Sequence, residues 1–183
     1  MRVKPVFICR LVCLVLGMAF VCLFSTAQGQ SSSSPLPVGV TAATTVDNSD
    51  IFDPSPPSDV EVTILKIIRA GEAWKMLKEA NASNKPPKAG FEYVLARLKL
   101  EYHAREGTPQ DKSYDLREDE FIAVSADGKW YEVAAVVTPE PRFNTKLYSG
   151  KTSEGWVSFL VPIEDKKPQL FFQRGGIWFQ LFQ

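Results

Sequence analysis

EYVLARLKLEYH, residues Glu92–His103, is the stretch that decides the fold. From Val94 to Tyr102 every second residue is apolar or aromatic, whereas positions 97, 99, 101 and 103 carry Arg, Lys, Glu and His. A period of two places these two sets on opposite faces of a β-strand. Such a split is typical of an antiparallel sheet that packs one face on a core and leaves the other in water. We therefore expect a half-buried antiparallel strand here.

Further strand patterns predict an all-β domain of about seven strands. Asp127-Gly128 favours a tight hairpin turn, and Gln173–Gly176 gives a second hairpin signal. In the last long strand we expect Trp156 or Val157 to face inward with Phe159 and Val161. Because no βαβ alternation is present, the count indicates a sandwich or barrel. The additional strand segments are Val60–Ile68, Phe121–Val124, Tyr131–Val137, Gly155–Pro162, Leu170–Phe172 and Ile177–Phe182.

One segment departs from the β pattern. Glu72–Ala80 reads EAWKMLKEA and consists of good helix formers, with Ala73, Leu77 and Ala80 on one face. A helix of this length is marginal alone. We expect a short helix or an irregular excursion between the first two main strands.

The N-terminus has the pattern of a secretory signal. Arg2 and Lys4 precede Leu11–Phe24, an apolar run of 14 residues, and small residues then offer cleavage after Ala27 or Gly29. The run is shorter than the roughly 20 residues of a spanning helix. We predict a signal peptide over residues 1–29, export to a periplasmic or extracellular location and no stable membrane insertion after processing. An uncleaved N-terminal anchor is the alternative.

Residues 30–58 are rich in Ser, Thr and Pro and poor in large apolar side chains. Such a composition does not offset the entropy of ordering, so it predicts a disordered linker. The globular domain is then expected over residues 59–183, long enough to bury a core of its own.

The residue inventory excludes several kinds of site. All three cysteines, Cys9, Cys13 and Cys22, lie within the predicted signal, so the mature chain has no thiolate ligand, disulfide or cysteine nucleophile. Without the three basic residues of the signal, 18 basic residues stand against 21 acidic ones. Since the basic residues do not cluster, we expect no nucleic-acid partner.

Two stretches resemble a known family. The first is Pro87–Leu100, in which proline and glycine precede a strand that opens with tyrosine and valine. The second begins at Leu147–Gly150 and continues at Gly155–Pro162, where glycine leads into an aromatic and apolar strand that ends in valine-proline. Both resemble a bacterial secreted immunoglobulin-like β-sandwich domain family of unknown function, similar in fold to the mycobacterial immunoprotective extracellular protein. The resemblance covers residues 60–182. It implies a fold and a location but no functional residue, and the lipid-anchor cysteine common in that family is missing here.

Candidate catalytic and metal-binding residues are few. His103 is the only histidine and falls on the polar face of its strand, so a solvated surface residue is expected. Gly150-Lys151-Thr152 lacks the preceding glycine and the following helix of a phosphate loop. The acidic loop Asp111–Glu120 has oxygen side chains at calcium-loop positions but lacks the required glycine and final glutamate. We expect a solvated acidic loop; a looser calcium site at Asp111, Asp115, Glu118, Asp119 or Glu120 stays open.

A sugar-binding platform is a further alternative. At strand spacing most of the aromatic residues are expected in the core, with Trp74 as the exception. Asn81-Ala82-Ser83 fits an N-glycosylation acceptor. The aromatic set is Trp74, Trp130, Trp156, Trp178, Phe171, Phe172 and Phe179.

The sequence therefore predicts a secreted, non-catalytic binding or structural module, monomeric, without metal or cofactor. Its partner would be a cell-surface or extracellular protein. The alternative is an exported hydrolase or carbohydrate-active enzyme that uses surface carboxylates. A deep pocket in which two carboxylates converge would distinguish the enzyme from the binding module.

Overall fold

The computed structural model describes Gly29, residues 31–49 and residues 54–182. Strands make up 44% of the structure and helices 9%, so the fold is mostly β as the sequence predicts. The signal predicted for residues 1–29 lies outside the described residues, except for Gly29.

The described residues form nine strands, one α-helix and one 3₁₀ turn. Their bounds are β1 Thr41–Val46, β2 Ser58–Arg69, α1 Ala70–Ala80, β3 Phe91–His103, β4 Tyr114–Leu116, the 3₁₀ turn Glu118–Glu120, β5 Phe121–Val124, β6 Thr145–Leu147, β7 Lys151–Pro162, β8 Gln169–Phe172 and β9 Ile177–Gln180.

The strands form three antiparallel sheets. The largest has four strands in the order β1-β2-β3-β7, the second has three in the order β5-β8-β9, and β4 pairs with β6. β3 and β7 are neighbours in the large sheet although three short strands separate them along the chain. The large sheet is therefore completed only when the chain returns at β7.

β3 is the centre of the core. The residues from Val94 to Tyr102 that the alternation assigns to one face are fully buried, and they share a cluster with Phe121, Phe172 and Phe179 of the three-stranded sheet. On the opposite face, positions 97, 99, 101 and 103 are partly exposed. The predicted register of this strand is confirmed, and its apolar face packs between two sheets.

Helix α1 covers part of the other face of β3. Its two buried residues, Ala73 and Leu77, pack in a second cluster with Tyr93, Leu95 and Trp156. Glu72 in the first turn and Lys78 in the last turn match the helix dipole. Of the two forms expected at Glu72–Ala80, a short helix or an irregular excursion, the structure has the helix, and it begins two residues earlier. Only half of β3 faces water on this side, because the helix covers the half that begins at Tyr93.

One predicted strand is wrong. Tyr131–Val137 forms no strand and makes a single isolated bridge, between Val133 and Phe159 of β7. The turn before it does form, since Gly128 adopts a φ of +87° and its N–H donates to the Ser125 carbonyl at 2.9 Å. The chain leaves the turn but separates from β5 after Tyr131, whose N–H reaches the Ala123 carbonyl at 3.0 Å.

The disordered linker predicted for residues 30–58 is wrong for residues 31–46. β1 lies within it and pairs with β2 from Thr41 opposite Thr63 to Val46 opposite Ser58. The ordered domain therefore begins before residue 59. Six of the seven predicted strands form, and β1, β4 and β6, which the sequence patterns do not predict, bring the count in the described residues to nine.

The same segment also reaches the three-stranded sheet. Leu36 donates its N–H to the Trp178 carbonyl at 2.9 Å and accepts from the Gln180 N–H at 2.7 Å, and the Gly29 carbonyl accepts from the Trp178 N–H at 2.8 Å. Leu36, Ala42 and Val46 are buried in the core. A polar composition argues for disorder when a segment is alone, but here two open sheet edges pair its backbone.

Candidate functional site

The acidic loop does not gather its carboxylates. Asp119 is held by the Arg117 guanidinium, at 3.0 Å from Nε and 2.8 Å from Nη2. Asp115 lies on β4 opposite Lys146, and Glu118 accepts a hydrogen bond from Thr138 at 3.2 Å. Within the described part of the chain no three His, Cys, Asp or Glu side chains lie together as metal ligands would.

Glu120 points into the protein instead. The Tyr114 hydroxyl donates to its Oε2 at 2.5 Å, and Arg174 Nε lies 3.4 Å from its Oε1 without a hydrogen bond. Burial raises the pKa of the Glu120 carboxyl, while Tyr114 and Arg174 oppose that rise. Burial and the adjacent carboxylate also raise the pKa of Tyr114. This trio ties the 3₁₀ turn to β4 and to the β8–β9 hairpin.

The two remaining sequence candidates lie at the surface. His103 Nε2 is 3.0 Å from Glu101 Oε1 on the open part of β3, and its side chain is 45% exposed. Gly150 makes the turn before β7, and Lys151 and Thr152 are the first two residues of that strand rather than the start of a helix. His103 also lines a pocket with Asp59 and Glu61, where Asp59 is held by Arg105.

The aromatic residues divide into three groups. Phe172 and Phe179 are core residues, and Trp156 is buried beneath α1. Trp74, the exception expected from the sequence, is partly buried and stacks on Tyr93 at 6.1 Å between ring centroids. Trp74 therefore lies outside the buried core, as expected, but it is less exposed than Trp130.

The aromatic residues that remain accessible belong to the three-stranded sheet and its margin. Phe171 and Trp178 stack at 4.3 Å and are half-buried opposite each other on β8 and β9. Trp130, directly after the Asp-Gly turn, is 57% exposed. Trp130 is therefore the accessible tryptophan that sequence reasoning missed. The signal that could have found it is its position beside a hairpin turn, outside the regular part of any strand.

Trp130 lines a cleft of about 390 Å³, which we call the Trp130 cleft. Its lining comes from the 3₁₀ turn, β5, β7 and the irregular segment 130–134. That segment bridges Val124 of β5 at one end and Phe159 of β7 at the other, so it spans the gap between the two larger sheets. The lining residues are Glu118, Asp119, Phe121, Ile122, Ala123, Trp130, Tyr131, Glu132, Val133, Ala134, Val157, Ser158 and Phe159.

Two apolar side chains of the Trp130 cleft, Trp130 and Val133, are exposed, whereas most of its other apolar residues are buried. Val133 is 85% exposed, the highest value among the exposed large hydrophobic residues of the described chain. The Tyr131 hydroxyl donates to Asp165 Oδ2 at 2.5 Å. Burial raises the pKa of Tyr131, and the Asp165 carboxylate adds to the rise. The tyrosine ring is thereby anchored while Trp130 and Val133 remain open to a partner.

Three carboxylates stand at the Trp130 cleft, and two of them have ion-pair partners. Glu132 pairs with Lys88 at 2.6 Å, and Asp119 pairs with Arg117. Glu118 has no lysine or arginine nitrogen within 4.0 Å among the residues described. Its Oε2 accepts from the Thr138 hydroxyl, which in turn lies 2.9 Å from Ser158 Oγ.

The surroundings of Glu118 disfavour its charged form. Burial raises the pKa of its carboxyl above the ordinary value. The Thr138 hydrogen bond and the more distant Arg142 guanidinium oppose that rise, and the Glu140 and Asp119 carboxylates add to it. The cleft therefore holds a half-buried carboxylate, the exposed Trp130 ring and the exposed Val133 side chain.

Comparisons with protein-family models, with curated proteins and with solved structures found no match to this chain. In the described residues no helix has the length and apolar character needed to cross a membrane.

Proposed function

We propose that this chain is an exported, non-catalytic binding module that holds a partner in the Trp130 cleft. The observation that carries the proposal is the exposure of Trp130 and Val133 beside a cleft lined mainly by apolar side chains. Exposed apolar surface of this kind marks interaction sites, and tryptophan is enriched among the residues that dominate binding energy. The cleft volume lies at the lower end of the range for ligand sites.

The proposed architecture is the immunoglobulin-like sandwich implied by the resemblance of Pro87–Leu100 and Gly155–Pro162. Two antiparallel sheets that share one core are in keeping with it. The apolar run Leu11–Phe24 and the small residues after it support export through a cleaved signal. Cleavage after Ala27 would retain Gly29, which accepts a hydrogen bond from Trp178. In such an arrangement the module acts outside the cell as a monomer that needs neither metal nor cofactor.

The test is capture of a partner from a surface extract of the organism that produces the protein. Mature wild-type protein and its Trp130→Ala variant are immobilised at equal density, and bound proteins are quantified. We expect Trp130→Ala to lose at least about 90% of the captured partner, as for a central binding residue. Tyr148→Ala is the matched control, because Tyr148 is 50% exposed but lies outside the Trp130 cleft. Equal capture by all three proteins would refute the assignment of the binding site.

A second candidate, an exported hydrolase or carbohydrate-active enzyme, is favoured by one observation. Glu118 and Asp119 line the same cleft, and the raised pKa of Glu118 suits a general acid. Against it, Arg117 holds Asp119 in a two-bond ion pair. The test is hydrolysis of chromogenic glycosides or esters. If the wild type hydrolyses them and Glu118→Gln abolishes that activity, the enzyme is the correct function and the binding module is wrong.

A further inference from the structure

The chemistry of the Trp130 cleft indicates what kind of partner it takes. Glu118 is a carboxylate in a mainly apolar cleft, without an ion-pair partner among the residues described. Removing a carboxylate from water costs free energy unless a cation or hydrogen bonds compensate. Thr138 supplies one hydrogen bond, to Oε2. The more distant Arg142 guanidinium, which pairs with Glu140, compensates the charge in part, and a positively charged group from outside would supply the rest.

The rings in the cleft favour the same charge. Trp130 and Tyr131 both line the cleft, and the faces of aromatic rings attract cations. The neighbouring carboxylates Glu132 and Asp119 are already paired with Lys88 and Arg117. Their net effect on an incoming charge is therefore small, which leaves Glu118 as the group that selects its sign.

A single free oxygen favours an ammonium over a guanidinium. Because Oε2 of Glu118 already accepts from Thr138, a guanidinium that bonds to both oxygens would have to share Oε2 with that hydroxyl, whereas an ammonium needs only Oε1. Val133 and Ile122, which line the same cleft, offer apolar surface. The cleft is therefore complementary to a lysine side chain with apolar neighbours along an extended chain.

We propose that the Trp130 cleft binds a lysine side chain of a partner protein, presented by an extended segment with apolar flanking residues. This inference rests on the proposed binding function and names the chemistry of its partner. The ammonium meets Glu118, its methylene groups lie along the aromatic rings, and the flanking residues contact Val133 and Ile122.

The test uses synthetic peptides rather than an unknown partner. A fluorescein-labelled peptide with lysine between two valines and blocked ends is titrated with the mature domain and followed by anisotropy. Matched peptides carry arginine, acetyl-lysine or norleucine at the same position. We expect acetyl-lysine and norleucine to weaken binding by about tenfold or more, and arginine to weaken it by less.

Protein variants separate the charge from the ring. Glu118→Gln should weaken the lysine peptide by about tenfold and leave the norleucine peptide within about twofold, because only the charge is lost. Trp130→Ala should weaken both peptides. If lysine and norleucine bind the wild type equally, or if no peptide binds, the lysine inference is refuted. The binding function would still stand when capture from extract depends on Trp130.

A pH titration tests the inference without any substitution. Lysine stays charged over the acidic range, so only carboxylates lose their charge as the pH falls. Because burial raises the pKa of Glu118, lysine-peptide binding should weaken at a higher pH than an ordinary glutamate would give. Arg142, Glu140 and Asp119 are the charged groups that act on Glu118, and Arg142 is charged throughout. If the affinity for the lysine peptide stays constant until the pH reaches the range in which exposed carboxylates titrate, Glu118 does not have this role.

Discussion

β3 and segment 131–137 are both apolar stretches, yet only β3 is a strand. β3 pairs along its length with β2 on one side and β7 on the other. Segment 131–137 contacts β7 through one isolated bridge at Val133, and its alanine and valine side chains include both buried and highly exposed positions. The comparison teaches that apolar composition makes a strand only where an edge of the right length and register is available. Without one, the same kind of residue becomes accessible surface.

The largest expected effect tests the core side of this comparison. Leu98 is fully buried at the centre of β3, so Leu98→Ala should lower the free energy of unfolding by about 2–5 kcal/mol through lost transfer energy and a cavity. Val133→Ala removes a mostly exposed side chain and should change stability by less than about 0.5 kcal/mol. Urea melts of both variants measure the difference. Lys99→Ala, on the exposed face of β3, is the control and should also change the free energy of unfolding little. If Leu98→Ala and Val133→Ala lower the free energy of unfolding by similar amounts, the comparison between the two segments is wrong.

A smaller effect concerns the turn that delivers segment 130–137. Gly128 has a φ of +87° and open space where a Cβ would lie, so Gly128→Ala adds only backbone strain, about 1 kcal/mol. Gly71 in α1 also has open space but no positive φ, so Gly71→Ala should be neutral or slightly stabilising. Thermal melts compare the two. Equal signs for the two substitutions would show that the turn does not constrain this segment.

The smallest expected effect is the pH dependence contributed by Glu118. Its folded pKa is raised, so its contribution to stability is complete below the unfolded pKa and is lost as the pH rises through the folded pKa. Glu118→Gln removes this titration while an amide oxygen can still accept from Thr138. The stability of the variant relative to the wild type should therefore increase between acidic and neutral pH. Urea melts at several pH values measure it, and a relative stability that falls over that range would contradict the assignment.

Much of the fold could be predicted because the relevant signals are local. The alternation in β3, the Asp-Gly and Gly-Gly turns, and the helix formers at Glu72–Ala80 each act over a few residues, and the structure has each of them. β1 was missed because its stability comes from pairing with β2, a partner that lies beyond a stretch of polar residues. Propensity within the segment carries no information about that edge.

The candidate site was less accessible to sequence reasoning. The sequence offers Trp130 as one of seven aromatic candidates and Glu118 as one of five acidic candidates. Strand spacing alone does not tell which of these side chains line a common cleft. Glu120 and Glu118 are two positions apart on a 3₁₀ turn, yet one faces Tyr114 in the interior and the other lines the Trp130 cleft. The direction of each side chain depends on the elements that pack around the turn.

The sequence by itself determined the β character of this protein, the register of β3 and the place where the β pattern is interrupted by helix formers, because hydrophobic periodicity and turn chemistry act between near neighbours. It also places all three cysteines within the first 29 residues. Only the tertiary structure decided which apolar segments obtain pairing partners, that residues 31–46 join two sheets, and that Glu118 and Trp130 line one cleft. These outcomes depend on contacts between residues far apart in the chain, whose free energy exists only once both partners are in place.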